Sequence, residues 1–155
     1  MPAATDIKVV NLEFLERRVG KIPDSVFSQR NLTEIGLFFT FKIKQRTAQG
    51  KDVHGNMFKP YGAKYAVLRE KAGFSSSPVD LFRSGSMMAA LQSEPLVSEK
   101  AVRLYFLDTV DKEGVRNPVK AAGLNKDRRF FDLSQDEING AIDIIRRNFV
   151  NDIRD

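Results

Sequence analysis

The densest set of side chains able to do chemistry lies in RTAQGKDVHGNMFKPYGAKYA, residues 46–66. Asp52, His54 and Asn56 alternate beside the turn glycines Gly50 and Gly55. A calcium loop needs a longer series of oxygen ligands closed by a Glu, which is missing here. A zinc site needs several His or Cys ligands, and the chain has one His and no Cys. The segment therefore reads as a polar turn, anchored by Phe58, Tyr61 and Tyr65. Nucleophilic catalysis requires a base beside the nucleophile. His54 is the only imidazole, and it sits in a glycine-flanked turn. The sequence contains no G-x-S-x-G, no P-loop and no G-x-G-x-x-G. Its acidic residues fall mostly on polar helix faces. The expectation is a chain without catalytic, cofactor-binding or metal-ligating residues.

A second run, NKDRRFFDLSQDE at 125–137, concentrates cations and rings. Arginine carries its donors in a rigid fork suited to carboxylates and carbonyl oxygens. Arg128 and Arg129 can stand solvated with only their stems packed. Alternatively, one of them braces a loop or meets a neighbouring subunit. Arg–Arg beside Phe130–Phe131 would also suit single-stranded nucleic acid, although the remaining aromatics fall at core spacings. One of the two phenylalanines is expected to wedge beneath the last helix.

The 155 residues suffice for one domain with an ordinary core. The chain is 42% hydrophobic and 29% charged, within the range of soluble globular proteins. Net charge is +5, but Lys and Arg alternate with Asp and Glu, and no long block of one sign occurs. This favours a mildly basic surface over a dedicated DNA-binding face. The N-terminal MPAATDIKVV lacks the basic and apolar regions of a signal peptide. The longest apolar run, IGLFFTFKI, is too short to span a bilayer.

The elements that must position these side chains can be read along the chain. Residues 1–8 read as a loose arm. Leu12, Leu15 and Val19 give a short amphipathic helix closed by Gly20. A long helix is expected from Asp24 or Ser25, with Leu32, Ile35, Phe39 and Ile43 on one stripe. Leu37, Phe38 and Phe41 widen that stripe beyond one buried face. The helix must then be covered on two sides or meet a second subunit, with Phe38 and Phe41 at the contact. Pro60 is expected to start a helix carrying Tyr65 and Leu68 and ending at Gly73. FSSSP reads as a flexible link, and Met87 and Met88 as core filler on a short helix. AVRLYFLDTV is the clearest strand, with EPLVSEK as its edge partner. A turn at 111–114 precedes a helix from Asn117–Pro118 to Gly123. The last helix opens on a capping box, Ser134 and Glu137, with Leu133 and Ile138 as staple. Ile138, Ala141, Ile142, Ile145, Phe149 and Ile153 form its apolar face. The fold class is α+β: a small antiparallel sheet packed by a long central helix and a C-terminal amphipathic helix. The organisation is an arm and short helix over 1–23 and a single domain over 24–155.

Three stretches resemble one family in order. GKDVHGNMFKPYGAKYAVLREKAG is similar to the glycine-rich turn, aromatic–Pro step and Tyr/Lys-rich helix of phage virion-morphogenesis and tail-completion proteins. VDLFRSGSMMAAL is similar to that family's Ser/Thr–Gly turn and short helix, and DRRFFDLSQDE to its Arg-x-Phe step into a capped terminal helix. The resemblance covers roughly residues 25–153. Asp132 stands where the family often has Gly, and Phe58 where it often has Trp. The resemblance implies a non-enzymatic structural protein of the neck or tail end of a tailed bacteriophage. It implies a ring, often hexameric, around the DNA channel, contacting head-completion, connector, tail-tube or terminator proteins, with no membrane partner and no specific grip on DNA. Arg128, Arg129 and Phe130 would position the last helix, Phe38 and Phe41 would serve subunit packing, and Tyr61 and Tyr65 would brace the turn at Gly55. A sequence-tolerant nucleic-acid-binding module, or an assembly chaperone absent from the finished particle, are the alternatives.

Overall fold

The computed structural model describes residues 7–12, 17, 22–83 and 85–154. It is an α+β fold. Its elements are β1 (Ile7–Asn11), α1 (Gln29–Ala48), α2 (Ala63–Lys71), α3 (Ser86–Ala89), β2 (Leu91–Leu96), β3 (Ala101–Phe106), α4 (Asn117–Arg128) and α5 (Gln135–Arg154). Short 3-10 turns cover Asp24–Phe27 and Val97–Glu99.

The sheet is antiparallel, in the order β1-β3-β2. β3 lies at its centre because its alternation suits a half-buried strand. Val102, Leu104 and Phe106 are buried on one face, while Arg103 and Tyr105 are half-buried on the other. β2 is an edge strand and accommodates Pro95, opposite Val102. It starts at Leu91, earlier than EPLVSEK implied. Of the arm expected over 1–8, Ile7 and Lys8 belong instead to β1, and residues 1–6 lie outside the described residues. Ile7 pairs with Tyr105 and Lys8 with Leu104. Val10 and Leu12 join the core shared with the rest of the chain. The short helix expected around Leu15 and Val19 lies outside the described residues.

α1 begins later than expected. Asp24 and Ser25 fall in the 3-10 turn, and Ser28 is the N-cap, accepting from the Asn31 N–H at 3.3 Å. Its stripe of Leu32, Ile35, Phe39 and Ile43 is buried. β2 and β3 cover one side of the helix and α5 another. Gly36 permits the close approach to the sheet, because a Cβ there would lie 2.6 Å from Ser93 Oγ and 3.1 Å from Val102 Cγ1.

α4 runs through Gly123 to Arg128 instead of stopping at the glycine. Asn117 is its first helical residue. Its buried amide donates to Thr109 Oγ1 at 2.8 Å and Ser86 Oγ at 3.0 Å. α2 starts at Ala63, three residues after Pro60, and Leu68 is exposed. In α5 the capping box forms as read from sequence: Ser134 Oγ accepts from the Glu137 N–H, and Glu137 Oε2 accepts from the Ser134 N–H. Leu133 and Ile138 pack on the core. The apolar face is shifted, however, because Ile144 is buried and Ile153 is exposed.

Two helical glycines should respond in opposite ways. Gly36→Val is expected to cost about 1–3 kcal/mol by overpacking against Ser93 and Val102. Gly123→Ala meets nothing within 4 Å and should stabilise by about 0.5–1 kcal/mol. Equilibrium urea denaturation of both variants reads the two signs.

Candidate functional site

Tyr61 and Tyr65 of the segment at 46–66 and Arg128 of the run at 125–137 line one cleft built around two arginines. The first is Arg69, on the last turn of α2, which is 2% exposed. A guanidinium so buried must find acceptors. Its Nε donates to the Ser75 carbonyl at 2.8 Å, and its Nη2 to Asp80 Oδ1 at 3.0 Å and the Phe82 carbonyl at 2.8 Å. It also lies 4.7 Å from the centre of the Tyr61 ring. One side chain thereby ties α2 to 75–82, so the serine-rich link is held down. Arg69 was not singled out from sequence. The one available signal was an Arg in the last turn of a short helix that stops just before a glycine, Gly73.

The second is Arg128, at the end of α4. Its guanidinium lies 5.5 Å from the Tyr61 ring centre and donates to the Lys59 carbonyl at 3.4 Å. Its Nε is buried without a hydrogen-bond partner. Tyr61 and Tyr65 meet edge to face at 5.1 Å, and Arg83 lies 5.9 Å from the Tyr65 ring. These groups, with Lys120 and Leu124, line an open cleft of about 280 Å³ between α2, the segment before α3, and α4. The Tyr61 hydroxyl accepts from the Leu81 N–H at 3.2 Å, and burial raises its pKa above the usual phenol value.

Arg129 caps α4 in the left-handed conformation, φ 41°, where a glycine would be at ease. Its carbonyl accepts from the Val53 N–H at 3.2 Å, and its Nη1 lies 3.3 Å from His54 Nε2. Asp132 lies 3.8 Å from its guanidinium. Phe130 and Phe131 are both buried, where only one was expected to be, and both rings pack edge-on against Phe106. Neither offers a face on which a base could stack. His54 belongs to a polar turn: Asp52 Oδ1 accepts from the His54 and Asn56 backbone N–H groups. Among the described residues no group of His, Cys, Asp or Glu is arranged to hold a metal.

Phe38 and Phe41 part company. Phe38 is half-buried at the crossing of α1 and α5, where its ring occupies the space a side chain at Gly140 would need. Phe41 is 58% exposed and Leu37, one turn earlier, 61% exposed. Lys44 and Ala48 continue their helical face into a groove of about 390 Å³, also lined by Phe82, Met88 and Ala89.

At the far end of the cleft, Lys120 Nζ donates to Asp111 Oδ2 at 2.9 Å. That bond, with the N–H groups of Val115 and Glu113, holds the Asp111 carboxyl below its ordinary pKa.

No protein-family model, curated protein or solved structure matches the chain.

Two measurements probe this arrangement. Arg69→Ala strands two carbonyls and Asp80, and should cost roughly 3 kcal/mol. Arg69→Lys should restore less than half of that, because one ammonium cannot reproduce the planar fork. Chemical denaturation with amide exchange across 74–82 reads both. Asp111 is depressed when folded, so its contribution is fully present above the unfolded value of about 3.9 and is lost as pH falls through the lower folded value. Asp111→Asn should flatten the fall in thermal midpoint below about pH 4 and leave the slope between pH 6 and 8 unchanged.

Proposed function

We propose that this chain is a structural component of a tailed-phage virion. It would join head to tail, or complete the tail, as one subunit of a ring in the neck. The ordered trio of motifs motivates the reading. The structural observation that carries it is the exposed Leu37–Phe41 face of α1. A helix that organises the core leaves two large apolar side chains in water, one turn apart, beside an apolar groove. A face of this kind suits a packing surface against another protein. In a ring the contact is heterologous: the face of one subunit meets a different face of the next, and the rotation closes. The ring is expected to be a hexamer around the DNA, flanked by head-completion or connector proteins on one side and tail-tube or terminator proteins on the other.

The remaining features agree with a role without bond-making. The cations near the cleft are largely paired: Arg69 with Asp80, Arg83 with Glu113 and Lys120 with Asp111. A conduit for DNA should not present a continuous cationic track, since each phosphate neutralised adds salt-dependent binding. No described helix is long and apolar enough to cross a membrane. The chain would be made in the bacterial host cytoplasm and reside in the virion.

The test combines assembly with a surface variant. The purified wild-type protein should sediment as a closed oligomer, alone or with its neck neighbours. Leu37→Glu with Phe41→Glu should shift it to monomer while its thermal midpoint moves by only a few degrees, because both side chains are exposed. Particles made without the protein should show unjoined heads and tails or defective tail ends. Normal infectious particles would exclude the assignment.

A further inference from the structure

The cleft at Tyr61 and Arg128 has an unbalanced charge set. Four cations line it, Arg69, Arg83, Lys120 and Arg128. Three carboxylates are engaged with them: Asp80 with Arg69 at 3.0 Å, Glu113 with Arg83 at 2.5 Å and Asp111 with Lys120 at 2.9 Å. Arg128 alone has no carboxylate partner among the described residues. Its one protein hydrogen bond is long, 3.4 Å to the Lys59 carbonyl, and its Nε is buried and unbonded. The Tyr61 hydroxyl, on a residue lining the same cleft, already accepts from the Leu81 N–H, so its own proton is free to be donated. Two kinds of donor are thus left over in a partly apolar cavity, with one unit of positive charge in excess.

We propose that this cleft receives a single acidic side chain, a glutamate or aspartate presented by a neighbouring protein chain. The Arg128 guanidinium would take the carboxylate in a charge-assisted hydrogen bond, with the Tyr61 hydroxyl as second donor. The Tyr65 ring and Leu124 would pack against the aliphatic stem of the incoming residue. The surplus of one positive charge fits a monoanion. The cavity, about 280 Å³, fits a side chain. A nucleic-acid strand carries phosphates at regular short intervals and calls for a row of cations; here the three other arginine and lysine heads are already held by acids. This inference rests on the reading that the chain assembles with neighbours, and it names the chemistry of one contact.

The experiment is a titration of the labelled full chain followed by NMR at the Arg128 Nε–H and the Leu81 amide. The probes are N-acetyl-glutamate methylamide, its neutral isostere N-acetyl-glutamine methylamide, and dimethyl phosphate. The glutamate probe should give saturable shifts at both reporters in roughly the millimolar range, the glutamine probe none, and dimethyl phosphate weaker ones. Arg128→Gln should weaken the glutamate probe about tenfold, read at the Leu81 amide. Tyr61→Phe, which removes the hydroxyl and retains the ring, should weaken it severalfold, and it carries the test if Arg128→Gln does not fold. Shifts that fail to saturate, equal response to the glutamine probe, tighter binding of dimethyl phosphate, or glutamate binding unchanged by the folded variants would each overturn the proposal. A cleft that ignores the glutamate probe in a protein that still forms a closed oligomer removes this contact and leaves assembly standing. A cleft that binds it in a protein that is only ever monomeric does the reverse.

Discussion

α1 is apolar over too much of its circumference to be satisfied by one neighbour, and the rest of the fold follows from that constraint. β2 and β3 take one side of it, where Gly36 removes the side chain that would otherwise hold the layers apart. α5 takes the next sector, where Phe38 fills the space left open by Gly140. Both glycines act as clearances for close packing. What remains uncovered is the sector of Leu37 and Phe41. Burying those two side chains fully would contribute a few kcal/mol of hydrophobic free energy, at roughly 1.5–3 kcal/mol each. The chain itself supplies no described element to do so.

Around this centre the connections are fastened by arginines. Arg46, on α1, donates from Nε to Glu137 at 3.0 Å and from Nη2 to the Asp132 carbonyl at 2.7 Å, so the α5 capping box is held to α1 as well as to itself. Arg69 does the same for the segment between α2 and α3. Both use the planar fork to satisfy backbone carbonyls and a carboxylate together, which a lysine cannot do. Arg128 has one tyrosine ring, that of Tyr61, and one carbonyl, that of Lys59, without the carboxylate.

Features set by local sequence were legible in advance. β3 showed its alternation, α5 its capping box, and α1 its stripe, because each signal lies within a few consecutive residues. Features set by distant partners were not. β1 exists because it pairs with β3, ninety or more positions along the chain, and no short window contains that contact. Gly123 looked like a helix end, yet Ala121 is buried and Leu124 packs against the core, and tertiary contact outweighs the roughly 1 kcal/mol propensity penalty of one glycine. The true end, Arg129 in the left-handed region, carries no glycine to announce it. Of the candidate site, the sequence indicated Tyr61, Tyr65 and Arg128 but not that they line one cleft, and it missed Arg69 altogether. Phe38 and Phe41 could not be told apart, because only the position of α5 decides which of them is covered.

The central claim is that the uncovered face and the unbalanced cleft exist for contact with other virion chains. The most direct measurement is a reconstruction of the intact particle at a resolution that distinguishes side chains. The account predicts this fold repeated around the DNA channel at the head–tail junction or tail end, with Leu37 and Phe41 buried against a neighbouring chain. A complete neck and tail in which no density fits this fold, or a fitted fold with that face turned to solvent, would contradict it.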